Sequence, residues 1–448
     1  KGLHERVREE SSIVLQQVVA VSGGGRSAVP IILSLMLLVL FYSMGFYMLN
    51  PIIRTLREEG LIPGATEVEW RFYAGLIGTV LQGVGLASSL ILGYFADRFG
   101  RRPVIFAAGL MMGAGLLLVS AATSYFQLLS FFVLFGVGFV GIGPAIYAFI
   151  SDAVPSESRG KGYAAYYASS VVAMILGLIV AGILLHWRPA YALAGAMTLL
   201  FTTTLFMLSK GVTIGYSEKR ESAAGGSSLK DALPSLKKRS VLLILLMIIP
   251  WTIPWGMLSY WSVDYLVAKW GVSRETASLV LALATASIAA GHVVGGSLSD
   301  KMAGKGEISW RAKISLVGVI VGYLFMLTML LYPYPYGREN LENLLPPALI
   351  AVGGMMFTTF AYPNISTVMS DVVPPEHRGK VFAVYGVLNN LGWTLGPSAY
   401  AVTLGLVSRI VGDSVQAMTY SASMIVSLWI FAAICWAVLV KTYPKEKL

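Results

Sequence analysis

The sequence predicts an all-α membrane protein of twelve transmembrane helices, arranged as two six-helix bundles related by duplication. Three observations carry that prediction. First, the 448 residues are 56% hydrophobic and only 12% charged, whereas a soluble chain carries about 25% charged residues. No soluble fold buries so much apolar side chain and keeps a wettable surface. Second, the apolar residues come in long continuous runs, as spanning helices require, and not in the short alternating strands of a barrel. Third, polar signatures of the first half return in the second.

Twelve runs are long enough to span: 29–50, 72–96, 104–122, 126–149, 163–185, 188–208, 241–268, 276–299, 314–331, 347–369, 381–407 and 418–440. They predict a polar N-terminal segment over 1–28, a first bundle over 29–208, a linker over 209–240, a second bundle over 241–440 and a tail over 441–448. The spans as drawn are expected to hold no Lys or Arg. Residues 1–28 carry an apolar stripe (Leu3, Val7, Val14, Val18, Val21), which fits either a surface-lying helix or a loose tail. The Ser-, Gly- and charge-rich linker has room for one short helix at 229–238. No cleavable signal is expected, because the first apolar run is too long and no small-residue cleavage site follows it. The chain opens on Lys1 rather than Met, which leaves open whether its native start is missing.

The net charge of +10 reflects topology, not nucleic-acid binding. Of the 33 Lys and Arg, 25 lie in loops 2–3, 4–5, 6–7, 8–9 and 10–11 and the termini; 8 lie in the other loops. The positive-inside rule then predicts both termini in the cytoplasm of a multi-pass protein of the cell or inner membrane. The single Cys435 allows no internal disulfide, and the scattered His residues give no metal-site spacing. No cofactor is expected. "GVGFVG" at 136–141 matches a dinucleotide-binding pattern but lies inside an apolar helix, where its glycines instead permit close helix packing.

Duplication shows in the loops. "SDAVPSESRGK" (151–161) and "SDVVPPEHRGK" (370–380) agree at eight of eleven positions, and "GYFADRFGRR" (93–102) has a weaker relative in "GSLSDKMAGK" (296–305). Arg98, Arg101 and Arg102 are explained by topology; Asp97 is not, because orientation ignores acids. These loops resemble the signature loops of the major facilitator superfamily, between helices 2 and 3, 4 and 5, and their counterparts in the second half. The resemblance covers all twelve helices. It implies two bundles rocking about a central cavity, with a cytoplasmic gate formed by Asp97, Arg98, Arg101, Asp152, Glu157 and Arg159. In the second half the matching positions are Asp300, Asp371, Glu376 and Arg378. Segments of spans 7, 8 and 11 are similar to the spinster branch of that superfamily.

Charge within a bilayer is costly and usually functional. Asp264, toward the outer end of span 7, and His292, in span 8, are the titratable candidates for coupling. Asp264 can equally be a wet interfacial acid. The family's helix 4 Arg pattern is replaced here by "FVLFGVG", and span 1 has no acid, so either Asp264 or His292 substitutes in a proton relay or transport is not proton-driven. Neutral candidates for solute contact are Tyr42, Tyr47, Gln82, Tyr147, Trp255, Tyr260, Tyr362, Asn364, Asn389 and Trp393. In span 11, Tyr385, Asn389, Trp393 and Gly396 fall on one helical face. With no embedded Lys or Arg to clamp an anion, the expected solute is organic, amphipathic, and neutral or cationic. The expected activity is secondary transport by a monomer in the lipid bilayer, efflux included, with a proton as possible coupling ion. The alternatives are an uncoupled facilitator of a sugar or lipid-like solute, and a sensor that binds without moving its ligand. No catalytic constellation suggests an enzyme.

Overall fold

The computed structural model describes residues 29–154, 159–184, 186–210, 212 and 232–447; the side chains of Asp97, Arg159, Lys161, Pro375 and Glu376 lie outside the described set. Residues 1–28 and most of the linker also lie outside it, so the surface helix expected at 1–28 is not addressed.

The described residues form helices and no strand. Span 1 comprises α1 (Val29–Tyr47) and α2 (Leu49–Glu58); span 2 is α3 (Glu67–Phe99); span 3 is α4 (Arg101–Ser120); span 4 comprises α5 (Tyr125–Gly141) and α6 (Gly143–Ala153). Span 5 is α7 (Arg159–Ile179), ending in a π turn over Val180–Leu184, and span 6 is α8 (Trp187–Leu208). After the short α9 (Leu233–Leu236), which falls within the helix expected at 229–238, span 7 is α10 (Arg239–Trp270), span 8 is α11 (Arg274–Ala303) and span 9 is α12 (Trp310–Leu331). Span 10 comprises α13 (Leu341–Thr358) and α14 (Ala361–Val372), span 11 is α15 (Pro375–Val407), and span 12 comprises α16 (Ser414–Val426) and α17 (Leu428–Glu446). By length and hydropathy, eleven of these segments qualify as membrane-crossing among the described residues. Span 11 does not, although its 33 residues make it long enough. It packs against spans 2 and 7 and carries Asn389, Asn390 and Ser398, so packing rather than lipid contact sets its composition.

Three breaks have one cause. Proline cannot donate to the carbonyl four residues earlier, and its ring clashes with it. Pro51, Pro144 and Pro363 follow Tyr47, Val140 and Thr359 by that interval, and α1, α5 and α13 end at or within one residue of those positions. The breaks in spans 4 and 10 repeat across the halves: Pro144 precedes Asp152 by the same spacing as Pro363 precedes Asp371. Span 7 keeps one continuous helix through Pro250 and Pro254. Spans 2, 4, 8, 10 and 12 begin at the end opposite the basic loops, each with a side-chain cap: Thr66, Ser124, Ser273, Asn340 and Asp413 accept from the backbone N–H three residues on. Outside the spans, the Glu339 carboxylate supports the start of α11. Hydrogen bonds from the Thr276 hydroxyl and the Ser273 N–H hold it below the usual carboxylate range.

At the basic end the turn between spans 2 and 3 is a single residue, Gly100, with φ +91°. That left-handed backbone is open to glycine and strained for any other side chain. The halves meet through spans 2 and 11, 5 and 8, and 1 and 7. Span 7 closes tightly onto span 11: a Cβ on Gly256 would lie 2.4 Å from the Trp393 carbonyl oxygen, and one on Gly396 would lie 2.5 Å from the Gly256 carbonyl carbon. Gly386, on the same helix as Gly396, faces open space. Overpacking a tight contact costs about 1–3 kcal/mol. Gly396→Ala is therefore expected to lower the thermal unfolding midpoint by several degrees in differential scanning fluorimetry, and Gly386→Ala to leave it unchanged.

Candidate functional site

Spans 2 and 11 show how the halves sit. Toward the far end they touch: a Cβ on Gly75 would lie 3.1 Å from the Pro397 carbonyl oxygen, and one on Gly78 would strike the Tyr260 ring of span 7 at 2.5 Å. Gly83 is near Thr394 at 3.6 Å, and beyond it, toward the basic end, Gly386 of span 11 and Gly143 of span 4 face nothing within 4 Å. The halves are closed at the far end and parted toward the basic end.

The far-end closure is ionic at its centre. Asp264 of span 7, with 1% of its side chain exposed, accepts from Arg71 of span 2 at 2.7 Å and from Arg54 of span 1 at 2.8 Å. Arg71 is equally buried, and Arg54 is 31% exposed. Arg71 also bonds Glu67 at 2.7 Å. Two corrections follow. The spans are not free of Arg: Arg188 opens the run 188–208, and Arg54 and Arg71 lie on α2 and α3, outside the runs 29–50 and 72–96. Nor is Asp264 a wet interfacial acid; both of its oxygens are taken by guanidinium groups of the other half. Asn50 reinforces the closure, donating to the Leu258 carbonyl at 3.4 Å and accepting from the Val263 N–H at 3.0 Å. The Tyr260 hydroxyl donates to the Ala74 carbonyl, and Thr79 and Ser398 share a hydrogen bond of 2.7 Å.

Between closure and opening lies a cavity of about 270 Å³. Its wall takes Tyr42, Ser43, Phe46 and Tyr47 from span 1, Gln82 from span 2 and Phe139, Val140, Gly143 and Tyr147 from span 4. Tyr166 and Ser170 of span 5 and Asn390 and Trp393 of span 11 complete it. Among the described residues, no charged side chain lines it. The sequence-predicted Tyr42, Tyr47, Gln82, Tyr147 and Trp393 converge here. Gln82 donates to the Trp393 carbonyl at 3.3 Å, so it also ties the halves.

The other predicted contacts lie elsewhere. Trp255 is buried against Trp429, with ring centroids 5.7 Å apart, and Tyr260 belongs to the far-end closure. Asn364 holds span 10 to span 8 by donating to the Ser299 hydroxyl at 2.8 Å. Asn389 sits on the packing face against span 7, where its carbonyl accepts from Thr252 at 3.2 Å; its neighbour Asn390 faces the cavity instead. Tyr362 lies beside His292, their rings 5.4 Å apart, and the His292 Nε2 is buried without a hydrogen-bond partner among the described residues.

At the basic end, the described ion pairs join elements of one half. Arg101 pairs with Asp152 at 3.4 Å and Arg311 with Asp300 at 2.7 Å. Arg378 donates to the Ser370 and Val373 carbonyls, Asp371 accepts from Tyr443, and Arg98 donates to Tyr94 at 3.0 Å. The side chains of Asp97, Glu157, Arg159 and Glu376 lie outside the described set.

The profile described as Major Facilitator Superfamily matches residues 35–397. This chain belongs to the major facilitator superfamily. Among curated members, a multi-drug resistance efflux pump PmrA homolog of Lactococcus lactis is 23% identical over 84% of this chain and 89% of its own length. Protein spinster homolog 3 of Mus musculus is 30% identical over a shorter stretch, 34% of this chain and 31% of that protein. Among solved structures, a bacterial homolog to the human lysosomal transporter Spinster, in an inward-facing and unoccupied conformation, superposes with a TM-score of 0.79. It is 17% identical, with 95% of this chain and 99% of that one covered, a likeness of fold. This superfamily member is a multi-pass membrane transporter.

Removing one partner of a buried ion pair costs about 3–5 kcal/mol, and a partly exposed partner costs less. Arg71→Ala is therefore expected to lower the unfolding midpoint in detergent more than Arg54→Ala, with Asp264→Ala, which strands both guanidiniums, at least as low as Arg71→Ala. Wild-type midpoints in all three variants would show that the cluster contributes nothing.

Proposed function

We propose that this transporter moves an amphipathic organic solute, neutral or cationic, by alternating access, and that the structure stands in the pose open to the basic end. The charge asymmetry of the loops puts that end in the cytoplasm. The asymmetry of contacts between spans 2 and 11 carries the reading: one helix pair is packed at one end and parted at the other, with an uncharged cavity at the junction. Two poses in exchange must lie within a few kcal/mol of each other. Breaking the Asp264 cluster must therefore be offset by contacts made as the basic end closes. Asp97, Arg98, Arg101, Asp152, Glu157 and Arg159, with Asp300, Asp371, Glu376 and Arg378, are assigned to that closure.

Asp264 serves as the anion of the outer lock, because both oxygens are engaged across the halves. Coupling falls to His292, whose buried Nε2 is free to take a proton beside Tyr362. In proteoliposomes loaded with a fluorescent efflux substrate, an imposed pH gradient should accelerate flux, and His292→Gln should abolish that acceleration while leaving downhill flux. Flux indifferent to pH in the wild type would assign an uncoupled facilitator. Binding without any flux would overturn transport.

Asp97→Asn is expected to slow turnover several-fold with less than twofold change in solute affinity, measured by paired flux and binding assays. Wild-type turnover in that variant would remove Asp97 from the gate.

A further inference from the structure

The two halves hold their matching inner carboxylates differently. Asp152 lies at the end of span 4 and Asp371 at the end of span 10, each at the start of the repeated loops "SDAVPSESRGK" and "SDVVPPEHRGK". In the first half Asp152 pairs with Arg101 at 3.4 Å, and Arg101 stands four residues after Asp97. The same step from Asp300 in the second half leads to Gly304, so the matching guanidinium is missing from the sequence. Arg311, the nearby cation, pairs with Asp300 at 2.7 Å. Asp371 is met from another direction: the Tyr443 hydroxyl, near the end of span 12, donates to its Oδ2. A carboxylate can only accept, and a phenol O–H given to it makes a charge-assisted bond. Tyr443 is fully buried, with Arg311 among its charged neighbours. Its place is fixed from both sides. The helix α17 packs on α10, α12 and α14, and three residues on from Tyr443 the Glu446 carboxylate accepts from the backbone N–H groups of Arg239 and Ser240 at 2.9 and 2.8 Å.

We propose that Tyr443 is a positioning residue of the inner closure. It takes the place of the guanidinium that Arg101 supplies in the first half, and it holds Asp371 in the orientation that the closed inner end uses. The inference rests on the alternating-access reading above and extends it to the end of span 12. Both Asp371 and Tyr443 belong to the second half, so their bond survives as the halves rock. A carboxylate without that bond must lose rotamer freedom as the inner end closes, so removal of the hydroxyl weakens the closed inner pose more than the open one. Through Tyr443, the seating of span 12 bears on the second half's gate.

The test needs no solute and uses the purified full chain in nanodiscs. Tyr443→Phe, which keeps the buried ring, is expected to lower the unfolding midpoint by a few degrees, and Asp371→Asn likewise. The double variant should fall no further than the lower of the two, because the residues act through one bond. Gly304 has φ −63°, which any side chain adopts. Gly304→Arg should therefore restore the midpoint of Tyr443→Phe, and should fail to restore it once Asp371→Asn is added. Inner-end distances supply the readout that packing alone does not move. Spin labels at Lys210 and Lys305, both exposed at the basic end, report closure by double electron–electron resonance in a Cys435→Ala, Asp264→Asn background. There Tyr443→Phe should cut the share of the short distance about threefold or more, and Gly304→Arg should bring it back. Additive midpoints, or no rescue by Gly304→Arg, overturn the claim that Tyr443 stands in for the missing guanidinium. Rescued midpoints with an unchanged short-distance share overturn its part in closure. A single distance in every background contradicts alternating access itself, while the midpoint cycle still decides the Tyr443–Asp371 bond, so the two failures are distinguishable.

Discussion

One carboxylate shared by two guanidiniums holds this pose. Asp264 belongs to span 7, and Arg54 and Arg71 belong to spans 1 and 2, so the bonds cross between the halves at the end away from the basic loops. Burial makes the cluster strong and also conditional. Its members gain only while all are present and the halves are shut, because a single charge left behind would be desolvated without a partner. Removing one partner of such a buried pair costs about 3–5 kcal/mol, equivalent to roughly two to four orders of magnitude in an equilibrium constant. On the alternating-access proposal, the repeated charges at the other end oppose this cluster.

The remaining contacts at the far end refine the same closure. Asn50 reads the backbone of span 7 with a neutral amide, and Tyr260 fills the space that Gly78 leaves open. The ionic contacts respond to charge and the neutral ones to shape, so the halves must be both correctly charged and correctly seated. The cavity lies just beyond, where spans 2 and 11 part. Most of its wall comes from the first half, and span 11 contributes Asn390 and Trp393. A solute there touches both halves, so it can bias how they sit.

Much of this was legible in the sequence, for physical reasons. Lipid demands long apolar runs, so the spans are written openly, and duplication repeats the loop signatures. The proline that breaks spans 4 and 10 was equally readable, since Pro144 and Pro363 stand at one spacing from Asp152 and Asp371. Three features were missed. Arg54 and Arg71 were left in a loop because the first two spans were drawn as 29–50 and 72–96, short of both; the signal was Asp264 itself, a buried acid that needs a cation. Asn390 was passed over for Asn389 because adjacent residues on a helix differ by about 100°, and only the packing of span 7 decides which one faces the cavity. Tyr166, in a segment dense with tyrosines, carried no periodic mark to set it apart.

The most direct test is a distance across the far end. With Cys435 replaced by Ala, spin labels at Glu58 of the first half and Ile410 of the second report that gap by double electron–electron resonance. The wild type should show mainly a short distance. Asp264→Asn should shift the population toward a longer one, while its circular dichroism stays that of a folded helical protein. An unchanged distribution in a folded Asp264→Asn protein would contradict the claim that this carboxylate holds the halves together.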